Sequence, residues 1–243
     1  MSVFRFKEFS VKQESSAMKV GTDAMLLGTV VNTYHDKRIL DIGTGTGVID
    51  LMMAQRYSKS EISAIEVDEA SAFEAMENFQ NSPWSDRLSV IHADFLEHSF
   101  DQKFDLIVSN PPYFQTRLEN NDPRKSQARH ESALPMKAML KKVSQMLTKF
   151  GYFWVIVPFE VRGIWTETAE EFGLQCVERR DIFGKRGGSA KRIILGFASS
   201  ELEFDPQDLL YTSLNQICIR NEEGKYTRQY VELTEAFHFN KLN

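Results

Sequence analysis

Five residues at the end of a hydrophobic run could hold a planar amino group in place. Residues 105–108 are apolar apart from the first, and Ser-Asn-Pro-Pro-Tyr follows at 109–113. The two prolines fix φ and remove two backbone donors, so the turn is stiff and its carbonyl groups remain available as acceptors. The Asn110 amide oxygen and a neighbouring carbonyl can then accept from one NH2 group while Tyr113 stacks on the attached ring. This pattern favours a substrate with an exocyclic amine or amide.

A glycine-rich turn lies upstream of this motif. A short apolar run leads into Gly43, Gly45 and Gly47, and an amphipathic segment follows. Glycines at such a turn let a ligand approach the backbone and leave the N–H groups of a helix start free. The dinucleotide-binding fingerprint would require glycine or alanine at Val48. Asp41 is therefore predicted to face an amine or cationic group rather than a pyrophosphate, the alternative being a turn that binds no ligand.

The next two predicted strands also end in acidic residues. Glu66 closes a strand about 20 residues after the glycines, where a carboxylate can bind both hydroxyls of a ribose. Asp68 can take this role instead, or it can cap the helix that begins near Glu69. Asp94 follows the third strand and can accept from an adenine amino group while Phe95 covers the ring. Alternatively, Asp94 caps a helix.

Four successive strand ends thus carry groups that can bind a ligand. In open parallel sheets, ligands bind outside the carboxyl ends of the strands. The order and spacing of these motifs, over about residues 20–160, resemble the class I S-adenosylmethionine-dependent methyltransferases. The Asn-Pro-Pro-Tyr motif resembles the members that methylate planar nitrogens. The resemblance implies S-adenosylmethionine as cofactor and a Rossmann-like α/β fold. That fold has a mostly parallel seven-stranded sheet with one antiparallel strand, helices on both faces, and small N- and C-terminal additions.

The flanking segments narrow the family. Residues 19–28 resemble the amino-terminal signature of the bacterial tRNA1(Val) adenine-37 N6-methyltransferases, and residues 128–131 and 226–233 are similar to that family as well. The resemblance then covers nearly the whole chain. It implies methylation of adenine N6 in the anticodon loop of a tRNA, and it makes Thr22 and Asp23 candidate cofactor contacts.

The family resemblance also implies a mechanism, which is direct in-line transfer to a base extruded from the loop. Asn110 and the carbonyl of Pro111 would accept from the adenine amine as charge develops on its nitrogen. Tyr113 would stack on the base, and Phe114 would assist it. His130 and Glu131 would order a loop or face the RNA.

Two basic clusters offset the net charge of −5, which by itself argues weakly against a nucleic-acid partner. The first cluster comprises Arg124, Lys125, Arg129, Lys137, Lys141 and Lys142. The second comprises Arg179, Arg180, Lys185, Arg186, Lys191 and Arg192. The second surrounds a glycine-broken loop between two predicted strands. This loop and the segment at Arg129 and His130 are predicted to contact RNA phosphates, the alternative being solvated turns.

Length and composition, with 243 residues of which 42% are hydrophobic, predict one domain. The resemblance implies that this is a methyltransferase domain. Its parts are an N-terminal extension with a cofactor-covering helix (1–36), a Rossmann-like core (37–199) and a C-terminal hairpin and helix (200–243). No apolar run approaches about 18 residues, so no membrane partner is expected. Cys176 and Cys218 are far apart and the histidines lack ligand spacing, which predicts no metal and a reducing cytoplasm. A monomer is expected.

Alternation of charged residues with Phe4 and Phe6 predicts an N-terminal strand or hairpin. Thr22 or Asp23 is predicted to cap the first helix. Strands and helices then alternate as in βαβ units, interrupted by a polar insertion at 115–134 that is expected to be functional. An antiparallel pair follows at 174–183 and 191–199, and a tail hairpin with a short helix closes the chain.

Three other functions fit parts of the sequence. A glutamine-amide methyltransferase of translation release factors would share the Asn-Pro-Pro-Tyr motif, but only about 40 residues precede the glycines here, fewer than its helical N-terminal domain needs. A DNA adenine methyltransferase would carry a target-recognition region that is not visible. A non-catalytic RNA-binding module would have no reason to retain Asp41, the three glycines, Asn110 and Tyr113 together.

Overall fold

The computed structural model describes residues 2–16, 18–32, 38–111, 123–202 and 216–239, and for 123–134 the backbone alone. The strands are β1 (Val3–Arg5), β2 (Ser10–Lys12), β3 (Arg38–Ile42), β4 (Glu61–Glu66), β5 (Leu88–His92), β6 (Phe104–Ser109), β7 (Leu147–Pro158), β8 (Leu174–Lys185), β9 (Ala190–Ser199) and β10 (Gln216–Arg220). The helices are α1 (Thr22–Val30), α2 (Val48–Arg56), α3 (Glu69–Gln80), α4 (Pro123–Met146), α5 (Arg162–Glu170) and α6 (Arg228–Thr234).

Eight strands form one sheet in the order β10-β8-β9-β7-β6-β3-β4-β5. Strand β9 is antiparallel to both of its neighbours, and the other pairs are parallel. The predicted α/β fold with one antiparallel strand is therefore confirmed. The predicted tail hairpin with a short helix is confirmed, since Arg220 forms an antiparallel bridge with Tyr226 and α6 follows. The predicted count of seven strands is wrong, because the tail strand β10 also pairs with β8 as an eighth strand. This pairing satisfies backbone groups on the edge of β8 and buries Ile217.

Helices cover both faces of the sheet, as predicted. Side chains alternate along each strand, so Ile39 packs into one buried cluster with α1, α2 and α3, while its neighbour Leu40 packs into another with α4 and α5. Strand β6 divides in the same way, with Leu106 on one face and Ile107 on the other. Because both faces are buried, β6 is apolar through its middle, which is why its polar end stands out in the sequence.

The predicted N-terminal hairpin is confirmed, since β1 and β2 pair antiparallel in a small sheet of their own. The prediction of a cap at Thr22 or Asp23 is wrong. Gly21 is the N-cap of α1, with extended backbone angles and no side-chain hydrogen bond, and Thr22 is already the first helical residue. The polar insertion predicted at 115–134 is also partly wrong, because α4 begins at Pro123 and takes in the rest of it.

The carboxyl ends of β3, β4, β5 and β6 meet at one edge of the sheet, called here the carboxyl edge. Strands β7 and β8 also end there. Because β9 runs the opposite way, with Arg192 opposite Pro158, its beginning lies at the same edge. The loop of the hairpin between β8 and β9 (residues 186–189) is therefore brought to the edge that carries the glycine-rich turn and Asn110.

No helix in the described ranges is long and apolar enough to cross a membrane.

Candidate active site

A cavity of about 610 Å³ opens at the carboxyl edge. It brings together nine of the site residues predicted from the sequence. These are Thr22, Asp23, Gly43, Gly45, Glu66, Asp94, Phe95, Asn110 and Arg192. Asp41 and Gly47 are buried behind the lining, and Pro111 is buried as well. Tyr113 and Phe114 lie outside the described residues, as do the side chains of Arg129 and His130.

The three glycines of the turn have positive φ, from 56° to 78°, which disfavours any residue with a Cβ atom. They serve two different purposes. A Cβ atom on Gly43 or Gly45 would meet nothing within 4 Å, so the backbone there is open to a ligand in the cavity. A Cβ on Gly47 would lie 2.5 Å from the ring of Phe79, so this glycine lets α2 pack closely against α3. The prediction of a close backbone approach therefore applies to the first two.

Glu66 lies at the end of β4 and is half-buried in the cavity wall. One carboxylate oxygen accepts from the Gly45 N–H at 3.0 Å and the other from the Asp68 N–H at 3.0 Å. Asp68 in turn accepts from the backbone N–H of Ser71 at 2.9 Å and is the N-cap of α3. The capping role considered for Asp68 is thus what the structure shows, and its pKa is lowered because Ser71 donates to the carboxylate.

Asp94 and Phe95 follow β5 at the far wall of the cavity. Asp94 is exposed and accepts from the Leu96 N–H at 2.7 Å, so it stabilises a turn and caps no helix. Phe95 contributes to the cavity lining, although only 7% of its surface is exposed. The ammonium of Lys142 on α4 donates to three carbonyl groups of this loop and lies 5.0 Å from the Phe95 ring centre. These contacts anchor the loop to α4.

Asn110 follows β6 in the cavity wall. Its Oδ1 atom is buried and has no hydrogen-bond partner among the described residues. An unpaired buried acceptor is unfavourable by about 1–3 kcal/mol, so native proteins seldom retain one without a function. The neighbouring Ser109 hydroxyl is satisfied, since it donates to the carbonyl of Ile42 at 2.9 Å. Of these two neighbouring residues, only Asn110 thus has a buried oxygen without a partner in the described part of the chain.

Asp41 does not face the cavity. It lies at 0% exposure beneath the glycine-rich turn, close to the equally buried Asp50 of α2, and neither of its carboxyl oxygens has a partner in the described part of the chain. Burial raises its pKa well above the usual range, and the charge of Asp50 raises it further. Burial also raises the pKa of Asp50 to about 6, although the Thr44 hydroxyl donates to Asp50 and opposes the shift.

Replacing Asp50 by asparagine should stabilise the fold at alkaline pH. A carboxyl group whose pKa is raised on folding stabilises the protein fully below about pH 4, and this contribution is lost as the pH rises to about 6. The loss amounts to at most about 3 kcal/mol. Asp50→Asn should thus raise the melting temperature at pH 8, with a gain that shrinks toward pH 4. A gain independent of pH would show that packing, and not ionisation, is responsible.

Arg192 enters the cavity from the start of β9 and contacts α1. Its Nε donates to Oδ2 of Asp23 at 3.1 Å, and its Nη1 donates to the carbonyl of Lys191 at 3.0 Å. The sequence assigned Asp23 to the cofactor and Arg192 to RNA. The structure places both in one ion pair in the cavity wall.

Two buried residues of α3 position the site but were missed from the sequence. The carboxylate of Glu74 accepts from three successive N–H groups, those of Glu14, Ser15 and Ser16. Burial alone would raise the pKa of Glu74, but these hydrogen bonds lower it below its usual value. The Asn78 amide donates to the carbonyl of Thr46 at 2.8 Å. One face of α3 thus holds both the segment before α1 and the glycine-rich turn. In the sequence, the one indication that Glu74 and Asn78 share a helix face was their spacing of four residues.

The basic clusters divide in the structure. Arg179 pairs with Asp181 and Arg180 with Glu178, while Lys137 pairs with Glu171. Lys142 donates hydrogen bonds to the carbonyl groups of the loop after β5. Three cations around the β8–β9 loop are exposed, namely Lys185, Arg186 and Lys191. These three lie at the carboxyl edge.

Proteins of known name match this sequence nearly end to end. A family model for the methyltransferase small domain matches residues 15–163. The tRNA1(Val) (adenine(37)-N6)-methyltransferase of Bacteroides thetaiotaomicron is 39% identical over 97% of this chain and 96% of its own length. The protein of the same name from Actinobacillus pleuropneumoniae serotype 7 is 37% identical over 98% of this chain and 97% of its own.

The fold also has solved counterparts at low identity. A crystal structure described as a predicted O-methyltransferase of Agrobacterium tumefaciens aligns with a TM-score of 0.64 at 18% identity. The alignment covers 88% of this chain and 96% of that one. At this identity the likeness establishes the fold alone.

Proposed function

The chain belongs to the family of tRNA1(Val) (adenine(37)-N6)-methyltransferases, and from that premise we propose that it methylates N6 of adenine 37 in the anticodon loop of tRNA1(Val). S-adenosylmethionine is the methyl donor. The observation that carries the proposal is that the Asn110 Oδ1 in the cavity wall is buried and has no hydrogen-bond partner within the described ranges. A monomer, a metal-free reaction and a cytoplasmic location are part of the proposal.

The cavity fits the cofactor by the chemistry of its wall. Gly43 and Gly45 leave the backbone open, and Glu66 offers two carboxylate oxygens, the arrangement that binds ribose hydroxyls. Thr22 and Asp23 close the α1 side of the cavity, and Asp94 and Phe95 close the β5 side, where they would hold the adenine ring of the cofactor. When bound, S-adenosylmethionine supplies a methyl group activated by a sulfonium.

Asn110 positions the target amine. The nitrogen lone pair of an adenine amino group is delocalised into the ring, so the amine is a poor nucleophile. The Asn110 oxygen and the Pro111 carbonyl accept from its N–H groups and favour a pyramidal nitrogen as positive charge develops there. Tyr113, supported by Phe114, stacks on the base. Positioning of this kind accounts for most of the rate enhancement, and no strong general base is required before attack.

The exposed cations of the β8–β9 loop contact the phosphates of the anticodon arm in this proposal. Arg129 and His130, near the start of α4, are proposed RNA contacts as well. The loop lies at the carboxyl edge together with Asn110. If the target base binds at the cavity, the sugar-phosphate backbone of that nucleotide would lie near the loop. Position 37 lies in a loop, where extruding a base is easier than in a duplex.

Neutralising Lys185, Arg186 and Lys191 together should weaken tRNA binding. Each phosphate contact contributes about 0.7 to the slope of log affinity against log salt, so the slope should fall by about 2. A filter-binding series over salt concentration measures this. The matched control replaces Lys59, Lys103 and Lys149, which are exposed at the opposite edge of the sheet. An unchanged slope in the loop variant would make the loop a solvated turn.

The proposed reaction is tested by transfer of labelled methyl from S-adenosylmethionine to total tRNA from a strain lacking the gene, followed by nucleoside analysis. Label in N6-methyladenosine is the expected result. Absence of label in tRNA, with the cofactor still bound, would transfer the assignment to a protein amide acceptor, and release factors would be assayed next. Failure to bind the cofactor at all would favour a non-catalytic RNA-binding module.

A further inference from the structure

The charges in the cavity wall are distributed unevenly. The side formed by β4 and β5 carries the carboxylates Glu66, Asp68 and Asp94. The side formed by α1 and β9 carries an acid and a base in contact, Asp23 and Arg192. The first side suits neutral hydroxyl and amine donors. The second presents opposite charges about one hydrogen bond apart.

We propose that Arg192 and Asp23 together bind the α-amino-acid end of the cofactor, Arg192 taking the carboxylate and Asp23 the ammonium. This inference rests on the proposed function, since it concerns the same cavity. In an α-amino acid the ammonium and the carboxylate are bonded to the same carbon atom, so together they match an adjacent anion and cation in the cavity wall. The guanidinium has five N–H donors in a planar fork, which suits a carboxylate acceptor.

The position of the pair favours a ligand contact over a purely structural bond. Its side chains are 30% and 24% exposed, and partly exposed ion pairs typically stabilise a fold by about 1 kcal/mol or less. The pair nevertheless joins segments 169 residues apart in the sequence, in the wall that also contains Asn110. Arg192 is held from behind by the carbonyl of Lys191, so its guanidinium is positioned before a ligand arrives.

The arrangement also links the two substrates. Lys191, on the exposed side of β9, belongs to the proposed phosphate-contacting loop, and the adjacent Arg192 points to the cavity. A shift of the loop on RNA binding would therefore change the position of Arg192 at the amino-acid end of the cofactor.

The test compares two ligands that differ only at that end. S-adenosylhomocysteine carries the amino acid, and 5′-methylthioadenosine has the adenosine and the thioether without it. Calorimetry should show that Arg192→Gln raises the dissociation constant of S-adenosylhomocysteine tenfold or more and changes that of 5′-methylthioadenosine less than twofold. Asp23→Asn should show the same selectivity. Retained binding of 5′-methylthioadenosine also shows that the variants are folded.

The matched control is Arg179→Gln, which breaks an Arg–Asp pair outside the cavity wall and should leave both affinities unchanged. Equal effects of Arg192→Gln on the two ligands, or none on either, would overturn the inference while leaving the proposed function intact. Selective loss in Lys19→Gln instead would assign the carboxylate to Lys19 and also overturn it. If neither ligand bound the unaltered protein, the proposed function would fail as well.

Discussion

Replacing Asn110 by alanine should reduce turnover a hundredfold or more while leaving the dissociation constant of S-adenosylmethionine within about twofold. The Asn110 oxygen is buried and has no partner among the residues that the structure describes. In the proposed reaction it accepts from the target amine, so its contribution should be greatest when that amine becomes positive. A hundredfold loss corresponds to about 3 kcal/mol of transition-state stabilisation, the size found for a single oriented hydrogen-bonding group in other active sites. Single-turnover methylation and equilibrium cofactor binding measure the two quantities.

A matched control is Asn81→Ala, which removes an exposed asparagine at the end of α3, away from the cavity. It should leave both quantities unchanged. A parallel loss of cofactor affinity and turnover in Asn110→Ala would contradict the division of labour in which Asn110 acts on the amine and the glycine-rich turn acts on the cofactor.

Replacing Glu66 by alanine should raise the dissociation constant of S-adenosylmethionine about a hundredfold or more. Two hydrogen bonds from ribose hydroxyls to a carboxylate would be lost, each contributing about 1.5 kcal/mol or more. The variant also releases the N–H of Gly45, which Glu66 holds at 3.0 Å. At saturating cofactor, turnover should fall much less than affinity.

The control for Glu66 lies on the same strand. Glu61→Gln alters an exposed carboxylate at the opposite end of β4 and should leave cofactor binding unchanged. A normal dissociation constant in Glu66→Ala would move the ribose contact to Asp68, even though Asp68 already caps α3. Asp68→Asn would then show the loss expected here for Glu66.

The elements around the cavity were predictable because each is encoded locally. Each of these features can be recognised from a few consecutive residues. They are the glycines of the turn, which have positive φ, the acid at the end of β4 and the Asn-Pro-Pro-Tyr motif after β6. Their convergence follows from one rule of parallel sheets, that strands in a βαβ series end at the same edge. Gly43, Glu66, Asp94 and Asn110 accordingly line one cavity.

Features that depend on distant contacts were not predictable. Asp41 was predicted to face a ligand, but packing of α2 on the sheet buries it together with Asp50, for which the sequence predicted no role. The Asp23–Arg192 pair and the contacts of Glu74 with residues 14–16 join segments that no short pattern relates. In each case the structure gives a residue a role that the sequence pattern did not predict, because tertiary packing determines which side chains are in contact.

Charge clusters and element ends show the same limit. The sequence cannot tell Lys142, which holds the loop after β5, from Lys185, which is exposed, because both lie in basic runs. The tail strand β10 forms the predicted hairpin contact with Tyr226, but its additional pairing with the edge of β8 depends on a distant segment and was not predicted. The cap of α1 lies one or two residues before the predicted Thr22 or Asp23, since Gly21 occupies the cap without a side-chain hydrogen bond.

The most direct test of the central claim is methyl transfer to two transcripts of tRNA1(Val), one with adenine and one with guanine at position 37. The account predicts one labelled N6-methyladenosine per adenine-37 transcript, mapped to that position, and no label in the guanine transcript. Equal labelling of both transcripts, or none in either while S-adenosylmethionine is bound, would contradict it.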